Sequence, residues 1–191
     1  MSIPATGVFD ADDRRRLLAL ARRALEARVR REYEPVLDQG GALDTHCGAF
    51  VTIHRGPELR GCLGRLGDDW PVARVVAHLG RAVADSDPRF SPVTVDELDT
   101  LSIEISVLTP EREVHSVQEI EIGRHGLIIE LGSRRGLLLP QVATEHGWDV
   151  ETFLEHTCRK AGLPPDAWTR DARILSFEAE VFGEKPPPHA A

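Results

Sequence analysis

Two hairpin patterns constrain this chain more than any other feature in it. Ala49 to His54 and Glu58 to Leu63 read as strands joined by Arg55-Gly56-Pro57, residues that favour a tight turn. Gly126 to Leu131 and Gly136 to Leu139 repeat the arrangement around Gly132-Ser133-Arg134-Arg135. Strands joined by so few residues run antiparallel, because a parallel return needs a crossover of about a dozen. Ser102 to Leu108 alternates, with Ile103, Ile105 and Val107 on one face and Ser102, Glu104 and Ser106 on the other. Arg173 to Phe182 reads as a last strand.

Helical patterns interrupt these strands. Asp10 caps a first helix to about Glu34, with Leu18, Ala21, Leu25, Val29 and Tyr33 as its buried stripe and Pro35 as its stop. Val72 to Ala84 carries Val72, Val75, Val76, Leu79 and Val83 at helical spacing. Thr94-Val95-Asp96-Glu97 is a capping box opening a short helix to about Asp99. Asp149 caps a helix to about Ala161 whose inner face is Val150, Phe153, Leu154, Thr157, Cys158 and Ala161, with Gly162 closing it. Hairpins interspersed with helices, without βαβ regularity, predict an α+β fold on antiparallel sheet. The tail from Glu184 to Ala191 contains three consecutive prolines and is expected to be disordered.

The 191 residues, 41% of them hydrophobic, suffice for one large domain or two small ones. A formal charge of −8 argues against a general nucleic-acid surface. Three scattered cysteines make no disulfide framework and fit a reducing cytoplasm. No apolar run approaches the roughly 20 residues of a membrane helix. Dinucleotide, P-loop, zinc and serine-hydrolase motifs are all missing, so the sequence calls for no cofactor and no metal.

The candidate chemistry centres on Leu59-Arg60-Gly61-Cys62-Leu63-Gly64. Cys62 is the best nucleophile, since a neighbouring arginine favours the thiolate. The competing reading is a small side chain in a tight strand and turn, where cysteine is favoured for its size. Cys158 lies on a helix stripe and is expected in the core, and Cys47 follows His46 in a loop. His54 ends a strand and could approach Cys62 across the hairpin. His125 stands in the turn Gly123-Arg124-His125-Gly126, either as a surface histidine or as a site residue. Glu104 and Ser106 share a strand face, solvated unless a second layer covers it. Arg89, Arg134 and Arg135 lie in loops and could clamp an anion.

Several segments together resemble one family: Gly48 to Thr52, the LRGCLG run, Asp87-Pro88-Arg89-Phe90, Ile103 to Leu108 and His125 to Ile129. Arg135 to Ala143, Trp148-Asp149, Thr157-Cys158 and Lys160 to Leu163 continue the likeness. The chain looks like the AMMECR domain family (Alport syndrome, mental retardation, midface hypoplasia and elliptocytosis chromosomal region), whose prokaryotic members are also called AmmeMemoRadiSam system protein A. That family more often has Ile at the position of Leu63. The resemblance implies an α+β domain over residues 10–183, made of two unequal, interwoven and tightly packed subdomains with a cleft between them. It also implies partners, a radical-SAM protein and a Memo-type protein similar to extradiol dioxygenases. It supplies no reaction. Matched residue by residue, it points to Cys62, Glu104 and His125 as catalytic candidates. Arg60, Gly61, Gly64, Asp87, Arg89, Ser106, Arg135 and Gln141 are the substrate-binding candidates. The reading favoured by these residues is an enzyme or enzyme subunit acting on a small or modified anionic substrate. The alternative is a non-catalytic partner that delivers substrate or serves as a scaffold, with a nucleic-acid-linked regulator behind both.

Overall fold

Asp10 opens the first helix as its sequence predicts. Its carboxylate accepts the N–H groups of Asp12 and Asp13 at 2.8 and 2.9 Å, and Asp13 accepts the N–H of Asp10 at 3.3 Å. The helix, α1, runs over Ala11–Arg30 in the computed structural model, which describes residues 9–37, 39–67 and 69–185. It ends at Arg31, whose φ of 60° reverses the chain, so the expected extension to Glu34 is corrected and Tyr33 is exposed. The left-handed cap closes the helix before Pro35 is reached, with the N–H groups of Arg31 and Glu32 donating back to the Arg28 and Ala27 carbonyls at 3.3 and 2.7 Å. The buried stripe is Leu17, Leu20, Ala21, Ala24, Leu25 and Ala27.

The chain divides into two units, Met1–Val107 with Glu180–Ala191, and Leu108–Ala179. In the first unit β1 (Ala49–Arg55) lies between β2 (Glu58–Arg65) and β3 (Leu101–Leu108), antiparallel to both. Val51, Ile53, Ile103 and Ile105 turn one sheet face into a core shared with α1 and α2 (Val72–Ala82). A Cβ on Gly80 of α2 would stand 2.8 Å from the Ala21 carbonyl oxygen, so glycine is what lets the two helices approach. The capping box at Thr94 and Glu97 forms as expected and opens a 3-10 turn over Val95–Thr100.

The second unit orders its strands β6-β5-β7-β4, namely Arg134–Leu138, His125–Leu131, the Arg173–Ala179 part of β7, and Arg112–Glu113, all antiparallel. Its core gathers Leu127, Ile129, Phe153, Leu154 and Cys158, with α4 (Val150–Lys160) capped by Asp149 through the Thr152 N–H at 2.9 Å. Cys158 is fully buried, as its stripe predicts. A Cβ on Gly136 would meet the Ala161 nitrogen at 2.2 Å, so the end of α4 rests directly on β6. A short helix unforeseen in the sequence, α3 (Pro140–His146), begins with its proline in the first turn, where the missing N–H is no loss.

The full β7 is Arg173–Gly183, and its last four residues return the chain to the first unit beside β3. Glu184, expected to begin a disordered tail, is anchored there. Its N–H donates to the Ile103 carbonyl and its carboxylate accepts the Ile103 N–H, both at 2.9 Å, while Arg22 pairs with the same carboxylate. The rest of the proposed tail, residues 186–191, lies outside the described residues.

Candidate functional site

A one-residue irregularity in the first hairpin decides what Cys62 faces. Ile53 pairs with Gly61 but His54 pairs with Leu59, so Arg60 is an extra residue in β2, a bulge. Beyond it Thr52 stands opposite Cys62 on one side and opposite Glu104 on the other. Directly opposed residues project to the same sheet face, so Cys62, Thr52 and Glu104 form one row across three strands, turned away from the Ile53 core. Gly64, Phe50 and Ser106 form the next row. This face is not the solvated one an isolated strand would suggest. Ser102 and Ser106 are buried, and Cys62 and Glu104 are half-buried.

Within the row the Thr52 hydroxyl donates to the Cys62 sulfur at 3.2 Å. The backbone of Cys62 points outward instead of to β1, since its N–H donates to Asp87 Oδ2 at 2.9 Å. Arg89 completes the grip by donating Nη2 to the Cys62 carbonyl at 3.3 Å. The Asp87-Pro88-Arg89 loop therefore satisfies the N–H and C=O of an edge strand where a neighbouring strand would otherwise pair.

Asp87 is 4% exposed and accepts from the Arg89 backbone N–H, Nε and Nη2 at 3.1, 3.0 and 2.8 Å. The Arg89 side chain, helped by the Cys62 N–H and opposed by burial, holds the Asp87 carboxyl well below the usual carboxylate range. The Arg89 guanidinium is raised in turn, chiefly by Asp87, and attraction to a Cys62 thiolate adds to the effect. Its side chain remains 56% exposed, so its outer donors can meet a ligand.

Arg60 is committed elsewhere. Its fork bonds Glu97 through Nε at 2.9 Å and Nη2 at 3.2 Å, and burial, with Arg55 nearby, lowers its pKa. Glu97 also pairs with Arg55 and accepts the Thr94 N–H at 2.8 Å. Both glycines of the motif have packing reasons. A Cβ on Gly61 would press Val83 at 3.1 Å, and one on Gly64 would enter the Phe50 ring at 2.2 Å. His54 stands opposite Leu59 and Ser102, and the position opposite Cys62 belongs to Thr52.

The remaining candidates belong to the second unit. His125 is not a turn residue but the first of β5, buried, with Nδ1 accepting the Glu121 N–H at 3.1 Å and Nε2 lying 3.9 Å from Glu178. Arg135 pairs with Glu130 and Glu111, and Arg134 donates to the Gly162 carbonyl at 3.0 Å. Gln141 is exposed on the first turn of α3. Burial lifts the Cys47 thiol to about 11 and raises that of Cys158 as well. Among the described residues no three His, Cys, Asp or Glu side chains gather to hold a metal ion, and no helix is long and apolar enough to cross a membrane.

Thr52 and Glu97 are the site residues that motif reading missed. Thr52 becomes visible only once the bulge is known, and Glu97 only once the capping box is seen to carry a carboxylate with lone pairs to spare.

A family model described as AMMECR1 matches residues 18–182. A Methanocaldococcus jannaschii protein is 46% identical over 149 residues, covering 73% of this chain and 74% of its own. A Pyrococcus furiosus protein is 44% identical over 184 residues, covering 90% of this chain and 88% of its own. The crystal structure of an uncharacterized Pyrococcus horikoshii protein superposes with a TM-score of 0.76 at 42% identity, over 90% of this chain and 91% of that one.

Proposed function

The chain belongs to the AMMECR1 family, and from that premise we propose that its first unit is an enzyme or enzyme subunit that binds a small anionic electrophile and attacks it with Cys62. The observation that carries this reading is the hydroxyl of Thr52 donating to a half-exposed sulfur at 3.2 Å. A hydrogen bond to sulfur favours the thiolate, the form that attacks. Arg89 supplies the cation: buried Asp87 takes its Nε and Nη2, and Nη1 on its half-exposed side chain is left to meet an oxyanion. Glu104 stands in the same row but on the far side of Thr52, so it would take the thiol proton through water. In the step itself the S–H proton leaves to water, and a bond forms from sulfur to the electrophilic carbon. The bond to the leaving group breaks with its electron pair, and that group takes up a proton.

The same reading places the protein in the reducing cytoplasm, beside a radical-SAM protein and a Memo-type dioxygenase-like protein of the AmmeMemoRadiSam kind. A second reading has an observation of its own. The grip of Asp87 and Arg89 on the Cys62 backbone would equally stiffen a strand edge that only docks a substrate for those partners.

Alkylation of each cysteine by iodoacetamide, followed from about pH 5 to about pH 9 around the ordinary thiol value near 8.5, separates the two. The enzyme reading expects Cys62 to react first in the native protein. Thr52→Val and Arg89→Ala should slow that reaction. Arg60→Ala should leave its rate unchanged, because Glu97 holds that guanidinium. A Cys62 that reacts only on unfolding would leave the non-catalytic partner as the surviving reading.

A further inference from the structure

We propose that a groove along the outer face of α2 is a second binding site, for a small phosphate-bearing dianion, independent of the thiol site. Arg74, His78 and Arg81 recur at helical spacing and so line one face of α2. With Trp70, Leu37 and Glu34 they enclose a cavity of about 260 Å³. That is just under the span of roughly 300–1,000 Å³ typical of ligand pockets, which suits inorganic phosphate or a compact phosphomonoester.

The charges in this groove run against the rest of the molecule. The chain carries a formal −8, yet two arginines and a histidine here face a single glutamate. The guanidinium carbons of Arg65 and Arg74 lie 4.1 and 4.0 Å from the Trp70 ring centroid, and His78 meets the ring edge-on at 5.6 Å. Stacking fixes Arg74 in place without using its N–H donors, and among the described residues it has no carboxylate partner. Arg81 bonds Glu34 through Nε at 3.2 Å, but its Nη1 is shielded from solvent and has no acceptor. That nitrogen is closed off even to water while the groove is empty, so Arg81 acts on an oxyanion through its charge, and the N–H donors that meet the ligand are those of Arg74. Two positive charges at fixed positions suit a dianion better than one would.

The test is equilibrium dialysis and ³¹P NMR titration of the full chain at constant ionic strength, with inorganic phosphate, glycerol 3-phosphate and succinate as probes. Phosphate and glycerol 3-phosphate should bind saturably and succinate more weakly. Arg74→Gln and Arg81→Gln should each weaken binding about tenfold, equivalent to roughly 1.4 kcal/mol. Glu34→Gln should tighten it, a gain that misfolding cannot imitate. Cys62→Ser, and Arg159→Gln on α4, should change nothing, which separates this site from the thiol reading. Binding that does not saturate, that survives both arginine changes, or that favours succinate would overturn the proposal.

Discussion

Replacing Asp87 by alanine removes one carboxylate that four donors share, and the consequences can be worked out donor by donor. The Cys62 N–H loses its acceptor on a strand edge, where an unsatisfied buried amide costs about 1–3 kcal/mol. The three Arg89 bonds also go, but that side chain is 56% exposed and rehydrates, so their loss adds only about 0.2–1 kcal/mol. The sum is about 1–4 kcal/mol. In a chain of this size that corresponds to a fall in melting temperature of about 2–16 °C. Asp87→Asn should lose less, about 1–2 kcal/mol, because its amide oxygen can still accept from Cys62 while its NH2 confronts the guanidinium. The pH dependence has a definite sign. The folded-state carboxyl is held below its unfolded value, so its stabilisation is complete above about pH 4 and is lost as pH falls further, toward the folded value. The gap between wild type and Asp87→Asn should thus stay constant from about pH 5 to 8 and shrink below about pH 4. Urea unfolding at several pH values reads this directly. Variants within about 0.5 kcal/mol of wild type, or a gap that widens in acid, would refute the account of the clamp.

Further outcomes follow from the packing. Cys47 and Cys158 should resist alkylation until the protein unfolds, since burial raises both thiols; modification of either at the rate of Cys62 in native protein contradicts their placement. Gly136→Ala should cost at least the usual 1–3 kcal/mol of overpacking, because its Cβ meets helix backbone that cannot step aside, and a thermal melt checks it. Gly64→Ala collides only with the Phe50 ring, so its penalty should shrink in a Phe50→Ala background, a non-additivity that a double-mutant cycle measures.

The sequence carries the fold's parts more fully than it carries the site. Period-2 and period-3.6 patterns mark both hairpins and the main helices, and the caps at Asp10, Thr94 and Asp149 form where their side chains predict. The bulge at Arg60 is invisible in that pattern. Without it, pairing outward from Arg55 and Glu58 would set Cys62 opposite Val51 and turn the thiol into the core. The LRGCLG motif likewise suggests that Arg60 serves the thiol, whereas the partner it meets in space, Glu97, lies 37 residues away. Helix α3 hides behind Leu137-Leu138-Leu139-Pro140, where the proline reads as the end of a strand although it opens a helix. The groove at Trp70 depends on side chains from a strand, a loop and a helix, and no local window of sequence holds them all.

Strand β7 has a consequence for how the protein is made. The first unit holds the N-terminal half of the chain but gains its last strand only at Glu180–Gly183, and Glu184 then ties down Ile103. During synthesis the nascent chain must therefore emerge through about residue 184 before that unit is complete. Until then β3 offers one open edge, a template for pairing with another chain. A ribosome stalled between Leu108 and Ala179 would hold a fragment containing the entire LRGCLG motif but lacking the strand that closes its sheet. Such fragments should be the aggregation-prone species of this protein, and late C-terminal truncations should damage its N-terminal half first.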